Sequence, residues 1–264
     1  MAKSVDIPHL RSVVLAGHAG AGKTTLAEQL LYAGGAIGRL GRVDDGTASL
    51  DFEPEEQKRH ESLSLAVASL DHADHRITIV DTPGYADFFA EVVEGAAAAD
   101  AAILVMDASG GIEAGLEAAV RLARASDLPA LFVVNKADRE GAAQTAAILR
   151  QMLRLGPRRP WEPPVLLTTA TTGQGVEAVV AALDQHRAHL LRSGEWSRVE
   201  ERRAASTIRR LAQRRLWRRL EAALPPDRWT TLVQAVAARQ TDPHHAADEL
   251  LRALGLPPEE PPPD

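Results

Sequence analysis

Gly17-His18-Ala19-Gly20-Ala21-Gly22-Lys23-Thr24 is the stretch that decides the fold. It fits the pattern GxxxxGK[ST]. An apolar, β-like run, Ser12–Ala16, precedes it, and a helical pattern, Lys23–Ala33, follows. Strand, glycine loop and helix in that order form a phosphate-binding loop: glycines let the backbone wrap phosphates closely, successive N–H groups point inward, and the helix N-terminus adds positive potential. Lys23 is expected to reach the β- and γ-phosphates of a nucleotide, Thr24 to offer its hydroxyl to Mg²⁺, and Thr25 to complete the cradle.

Working outward, β-like runs alternate with helical ones as far as residue 190. Candidate strands are Ser12–Ala16, Leu63–Leu70, Ile77–Val80, Ala102–Met106, Ala130–Val134 and Val165–Thr168. Candidate helices are Lys23–Ala33, Asp87–Ala98, Glu113–Ala125, Ala142–Leu153 and Val176–Leu191. This alternation predicts an α/β fold, a P-loop NTPase G domain with a mostly parallel sheet flanked by helices. The turn-like Asp71-His72-Ala73-Asp74 predicts one antiparallel pair. Gly156 to Pro164 reads as a rigid, proline-rich loop.

After residue 192 the pattern becomes purely helical. Ile208, Leu211, Ala212, Leu216, Leu220 and Leu224 read as one apolar stripe. Pro225-Pro226 should break that helix, and shorter helices are expected near Arg228–Arg239 and His244–Leu254. The expected organisation is a G domain over 1–192, a helical arm over 193–255 and a disordered tail over 256–264 rich in proline and acid.

Three further segments complete a nucleotide site. Asp81-Thr82-Pro83-Gly84 closes a β-run; its carboxylate can hold Mg²⁺, and the Gly84 N–H can meet a γ-phosphate. Asn135-Lys136-Ala137-Asp138 closes another strand. Asp138 can accept two hydrogen bonds from guanine, Lys136 lies along the base, and Asn135 ties the loop to the phosphate loop. Adenine lacks both donors and would leave the carboxylate unpaired. Thr168-Thr169-Ala170 follows the last strand, where the Ala170 N–H can meet the guanine carbonyl. The order of the four segments implies GTP/GDP with Mg²⁺ as ligands. Candidate catalytic residues are Lys23, Asp81, Gly84 and Tyr85.

Composition bounds the alternatives. The chain has 264 residues, no cysteine and a formal charge of −6. Disulfides and thiolate metal sites are excluded. The negative balance argues against a general nucleic-acid binder, and neither a signal peptide nor a membrane span is legible, so a cytoplasmic location is expected. The histidines are irregularly spaced and do not suggest a metal site. Between Ser193 and Leu220 stand nine arginines and three acids, which read either as a solvated helix face or as a partner surface.

Two resemblances follow. From about residue 11 to 125, GHAGAGKTTLAEQLLYAGGAIGRLGRVDDGTASLDFEPEEQKR and VDTPGYADFFAEV resemble the GTP-binding domain of elongation factor G and its paralogues. From about residue 130 to 254, NKADREGA, WEPPVLLTTATTGQGVEAVVAALDQHRAHLLRSGEW and DPHHAADELLRAL resemble MeaB/ArgK proteins, the GTPase chaperones of adenosylcobalamin-dependent acyl-CoA mutases. The first resemblance implies a histidine after DTPG to position the attacking water. Tyr85 stands there, which implies slow intrinsic hydrolysis. It also implies a switch I hydroxyl on Mg²⁺ in the GTP state; Ser62 lines up, with Thr47 as the alternative. The second resemblance implies a regulatory GTPase that gates a cobalamin-dependent mutase and forms a homodimer through its helical arm, with Trp196 and Trp217 in core, dimer or mutase contacts. A truncated translational GTPase and a non-hydrolysing interaction module remain the competing readings.

Overall fold

The computed structural model describes residues 10–126, 128–155, 161–225 and 227–256. The start of the loop expected at 156–164, Pro226, the first nine residues and the tail from 257 onward lie outside the described residues.

The chain divides into two compact units, Met1–Val199 and Glu200–Asp264. In the first, six strands form one sheet: β1 (Leu10–Ala16), β2 (Ala66–His72), β3 (His75–Asp81), β4 (Ala101–Asp107), β5 (Ala130–Asn135) and β6 (Val165–Leu167). Their order is β2-β3-β1-β4-β5-β6. All neighbours are parallel except β2 and β3, which pair antiparallel from Ala66 opposite Asp81 to His72 opposite His75. The hairpin turns at Ala73, whose φ of 51° places a non-glycine residue in the left-handed region. The fold class predicted from the alternation is the one observed.

The central strands are apolar throughout because both sheet faces are covered. Successive side chains point to opposite faces. Val13, Leu15, Ile79, Ile103, Val105 and Val133 enter one core with Leu26, Leu30 and Val179. Those last three lie on α1 (Lys23–Ala33) and α6 (Val176–Ser193). Val14, Val80, Leu104, Met106, Phe132 and Val134 enter the other core, with Val92, Leu116 and Leu149 from α3 (Phe89–Ala98), α4 (Ala114–Ala125) and α5 (Ala142–Leu155).

One helix is not anticipated by hydrophobic periodicity: α2, Pro54–Arg59. It is a single polar turn and a half, built by its ends. Proline stands at its start, and Glu53 and Glu56 form a reciprocal capping box. The motif Glu-Pro-Glu-Glu carries that signal in the sequence.

The second unit holds most of α7 (Glu195–Ala223), with α8 (Arg228–Ala237) and α9 (Pro243–Ala253). Asp242 caps α9 by accepting from the backbone N–H of His244 and His245, each at 2.9 Å. Trp217 and Trp229 meet edge to face at 5.4 Å, and Arg228 pairs with Glu249. The single apolar stripe expected on α7 is not there. Leu220 is buried, but Ile208, Leu211 and Leu216 are 67%, 45% and 52% exposed. Residues four apart advance by about 40° around a helix of 3.6 residues per turn, so the row winds off any one face. Among the described residues, no helix is long and apolar enough to cross a membrane.

Candidate functional site

The glycine loop leaves β1 at the point where the sheet order reverses, with β3 on one side and β4 on the other, the position at which open α/β sheets bind ligands. Gly17 backs onto β4 with φ of 150°, and a Cβ there would lie 2.0 Å from the Val105 carbonyl oxygen. Only glycine fits. Lys23 is buried under the loop, and its Nζ donates to the carbonyl oxygens of Gly17 at 3.2 Å and His18 at 3.0 Å. Burial pushes its pKa down, against the pull of Asp81. An ammonium held by two neutral carbonyls in a dry site is primed for an anion.

Thr24 and Ser62 stand side by side, each bonded to a carboxylate. Thr24 Oγ1 donates to Asp81 Oδ2 at 2.6 Å, and Ser62 Oγ donates to Asp51 Oδ1 at 2.7 Å. The two hydroxyl oxygens stand 2.9 Å apart. With both protons directed at carboxylates, the lone pairs converge. Asp81 Oδ1 and Asp51 Oδ2 are buried without a hydrogen-bond partner. Burial pushes Asp81 up to about 7, with Thr24 and Lys23 opposing. Burial also raises Asp51; Ser62 opposes, and Glu56 and Glu28 add to the rise. This all-oxygen set fits a hard divalent cation. Among the described residues, no cluster of three or more His, Asp or Glu could hold a metal alone, so the hydroxyls and ligand oxygens would have to share in it. Thr47 is elsewhere: its hydroxyl accepts from the Arg42 N–H at 3.0 Å.

Two buried glutamates fold the segment that carries Asp51 and Ser62. Glu28, on α1, accepts from the backbone N–H of Gly41 and of Leu50, both at 3.1 Å, and from the N–H and hydroxyl of Ser49. Glu56, on α2, accepts from the N–H of Leu63 at 2.8 Å and of Ser64 at 3.0 Å. The loop after β3 approaches from the other side. A Cβ on Gly84 would lie 2.4 Å from the Ala19 nitrogen and 2.6 Å from Lys23 Nζ. Tyr85 follows, 41% exposed, and its hydroxyl donates to Glu61 Oε1 at 2.5 Å.

Asn135 organises the far end. Its Nδ2 donates to the Ala21 carbonyl at 3.0 Å, and its Oδ1 accepts from the Thr168 hydroxyl at 3.1 Å and the Ala170 N–H at 3.0 Å. The Ala170 N–H, expected to face a guanine carbonyl, is therefore directed at Asn135, because the turn after β6 is drawn onto that amide. Lys136 has φ of 59° and sends Nζ to the Gly20 carbonyl at 2.6 Å and to Asp107 Oδ2 at 2.7 Å. Burial works against the Asp107 carboxylate, but hydrogen bonds from Lys136 and Ser109 outweigh it and hold its pKa at about 2. Asp138 is exposed beside this pair.

These pieces line one cleft of about 510 Å³. Its walls include His18, Ala19, Gly20, Gly22, Lys23, Thr24, Thr25, Ser62, Gly84, Tyr85, Asn135, Lys136, Asp138, Thr169 and Ala170. Gly17, Ala21, Asp81 and Thr168 support it from behind. Five acidic residues escaped the sequence reading: Glu28, Asp51, Glu56, Glu61 and Asp107. Two of them had a signal: Asp107, as an acid closing an apolar strand, and Glu56, as the last residue of the capping motif Glu53-Pro54-Glu55-Glu56.

Residues 8–189 match the family model described as the elongation factor Tu GTP binding domain. The chain belongs to that family. It is a GTPase domain that binds a guanine nucleotide. The chain is 37% identical over 206 residues to elongation factor G 2 of Streptomyces coelicolor, covering 78% of this chain and 29% of the relative. It is 38% identical over 152 residues to elongation factor G of Fervidobacterium nodosum, covering 58% and 22%. A bacterial selenocysteine-specific elongation factor has the same fold over 66% of this chain and 28% of its own, with 27% identity and a TM-score of 0.55. This GTPase domain thus spans less than a third of the length of these relatives.

The family match corrects the division of the chain between two resemblances. It runs without a break through residues 130–189, where similarity to MeaB/ArgK proteins was read. Much of what carried that similarity there is nucleotide-site machinery: the Asn135–Asp138 loop, β6, the Thr168–Ala170 turn and the start of α6. Guanine binding demands these features of any such GTPase, so they do not discriminate among subfamilies. The cobalamin-dependent mutase partner and the chaperone role fall with it, and the homodimer loses the support it drew from it.

Proposed function

We propose that this chain is the nucleotide-driven module of an elongation factor G-type translational GTPase, turned over in contact with the ribosome. The observation that carries this reading is the unbroken family match over 8–189 combined with relatives that are named elongation factor G. Another relative, 36% identical over 155 residues (59% of this chain, 19% of the relative), is the mitochondrial ribosome-releasing factor 2 of Candida albicans.

In this reading Lys23 meets the β- and γ-phosphates, and the Gly84 N–H meets the γ-phosphate. Thr24, Ser62 and, directly or through water, Asp81 hold Mg²⁺, which when bound supplies positive charge to the phosphate oxygens. Asp138 reads the guanine edge, Lys136 flanks the base, and Asn135 fastens both loops. Tyr85, held by Glu61, faces the attacking water. Water adds to the γ-phosphorus, the bond to the β–γ bridging oxygen breaks, and GDP and phosphate leave. Tyr85 is a weaker partner for that water than a histidine, so fast turnover needs help from outside the chain.

Multiple-turnover GTP hydrolysis with and without purified bacterial ribosomes tests the proposal. Ribosomes should raise the rate at least tenfold, with no comparable effect from an equal mass of an unrelated acidic protein. An unchanged rate across a range of ribosome concentrations would remove the ribosomal part of the reading and leave the GTPase.

A further inference from the structure

Helix α7 carries nine arginines against four glutamates in a chain whose formal charge is −6. Six of those arginines, Arg209, Arg210, Arg214, Arg215, Arg218 and Arg219, fall on eleven consecutive residues that contain no acid. Five of the six are exposed and Arg210 is partly so. Five of them form two rows at four-residue spacing, Arg210-Arg214-Arg218 and Arg215-Arg219, each stacking like charges one turn apart, which weakens a helix. Two exposed helical arginines elsewhere in this chain are answered by a glutamate four residues before them: Arg59 by Glu55 and Arg121 by Glu117. Glutamates at that spacing offset the charge of an arginine row, and the two rows on α7 have none at four-residue spacing.

We propose that this segment of α7 is an RNA-binding surface that contacts phosphates. The inference rests on the ribosomal reading above for the kind of nucleic acid. Eleven residues rise about 15 Å, so six charges along it approach the density of a duplex backbone, on the order of one charge per 1.7 Å. Guanidinium groups present planar forks that match phosphate oxygens. Trp217, 44% exposed, stands beside the first row, where an aromatic face can stack on a base.

The test is fluorescence anisotropy of the full chain with a labelled 20-base-pair RNA duplex at 50 and 200 mM salt. The wild type should bind, and more weakly at the higher salt by at least tenfold. The triple variant Arg210→Gln/Arg214→Gln/Arg218→Gln keeps good helix formers in place. It should bind at least tenfold more weakly, with a log–log salt slope shallower by about 3. Its helix content and GTP affinity should match the wild type. No binding by the wild type at 50 mM salt, or equal binding by the variant, overturns the proposal. So does tighter binding to poly-glutamate of equal charge, which would mark an acidic protein as the partner. Ribosome-stimulated turnover separates the two readings: stimulation without RNA binding sinks only this inference, and direct RNA binding without stimulation sinks only the ribosomal one.

Discussion

The Tyr85 hydroxyl donates a 2.5 Å hydrogen bond to Glu61 Oε1, joining the loop that follows β3 to the loop that carries Ser62. Gly84 and Ser62, which face the phosphate end of the cleft, are each one residue from this bond. The bond also raises the Tyr85 pKa, chiefly because an anionic acceptor favours the protonated phenol. The tie joins the two loops at one end of the cleft and fixes the direction of the Tyr85 side chain.

Intrinsic hydrolysis should therefore be slow, on the order of 10⁻⁴ to 10⁻² per second. Tyr85→Phe and Glu61→Ala should each lower single-turnover hydrolysis by roughly tenfold, about 1.4 kcal/mol of barrier, while GTP affinity changes by less than about threefold. Tyr85→His should raise the rate. Wild-type turnover of several per second without any partner would refute the assignment.

Guanine selection should rest on Asp138. Loss of two charge-assisted hydrogen bonds costs about 3 kcal/mol, so Asp138→Asn should weaken GTP by on the order of a hundredfold and improve binding of xanthosine nucleotides. Competition against a fluorescent GDP analogue measures both. Equal binding of ATP and GTP by the wild type would contradict this role.

Lys23 and Thr24 should separate in calorimetry. Lys23→Ala removes the buried cation and should abolish measurable nucleotide binding. Thr24→Ala removes one hydroxyl of the converging pair, so its first effect should be loss of the Mg²⁺ enhancement of GTP affinity. Nucleotide affinity unchanged in the Lys23 variant would be decisive against the site as drawn.

The Asp107–Lys136 pair predicts an acid-sensitive contribution to stability. The folded pKa of Asp107, about 2, lies below the ordinary aspartate value of 3.8. A depressed carboxylate pKa gives stability that is complete above the unfolded pKa and is lost as pH falls towards the folded one. Wild type should exceed Asp107→Asn in urea stability at pH 6, and the gap should narrow at pH 3. A gap that widens on acidification would show that the ion pair does not hold this carboxylate.

The sheet and the cleft are legible in the sequence because their signals are local. An apolar run that ends in Gly17, Asp81 or Asn135 states both a strand and the loop chemistry at its tip. Glu28, Asp51 and Glu56 are different. No local pattern marks the partners of each, whose meaning comes from backbone N–H groups or hydroxyls brought to it by folding: Glu28 serves Ser49, twenty-one residues away. The α7 stripe misled for the opposite reason, since four-residue spacing looks periodic over two turns and drifts over four. Similarity in the nucleotide loops misled in the same way, because shared chemistry repeats across subfamilies.

The buried carboxylate of Glu28 has a thermodynamic consequence. It stands on the helix that begins with Lys23 and Thr24, and it hooks Gly41, Ser49 and Leu50. The segment between them thus draws its order from the chain itself rather than from the ligand. Fixing one residue's backbone costs roughly 1–2 kcal/mol of entropy, so a segment ordered in advance lets the γ-phosphate spend its contacts on closing the last few residues around Ser62. The heat-capacity change that distinguishes GTP from GDP binding should accordingly be small.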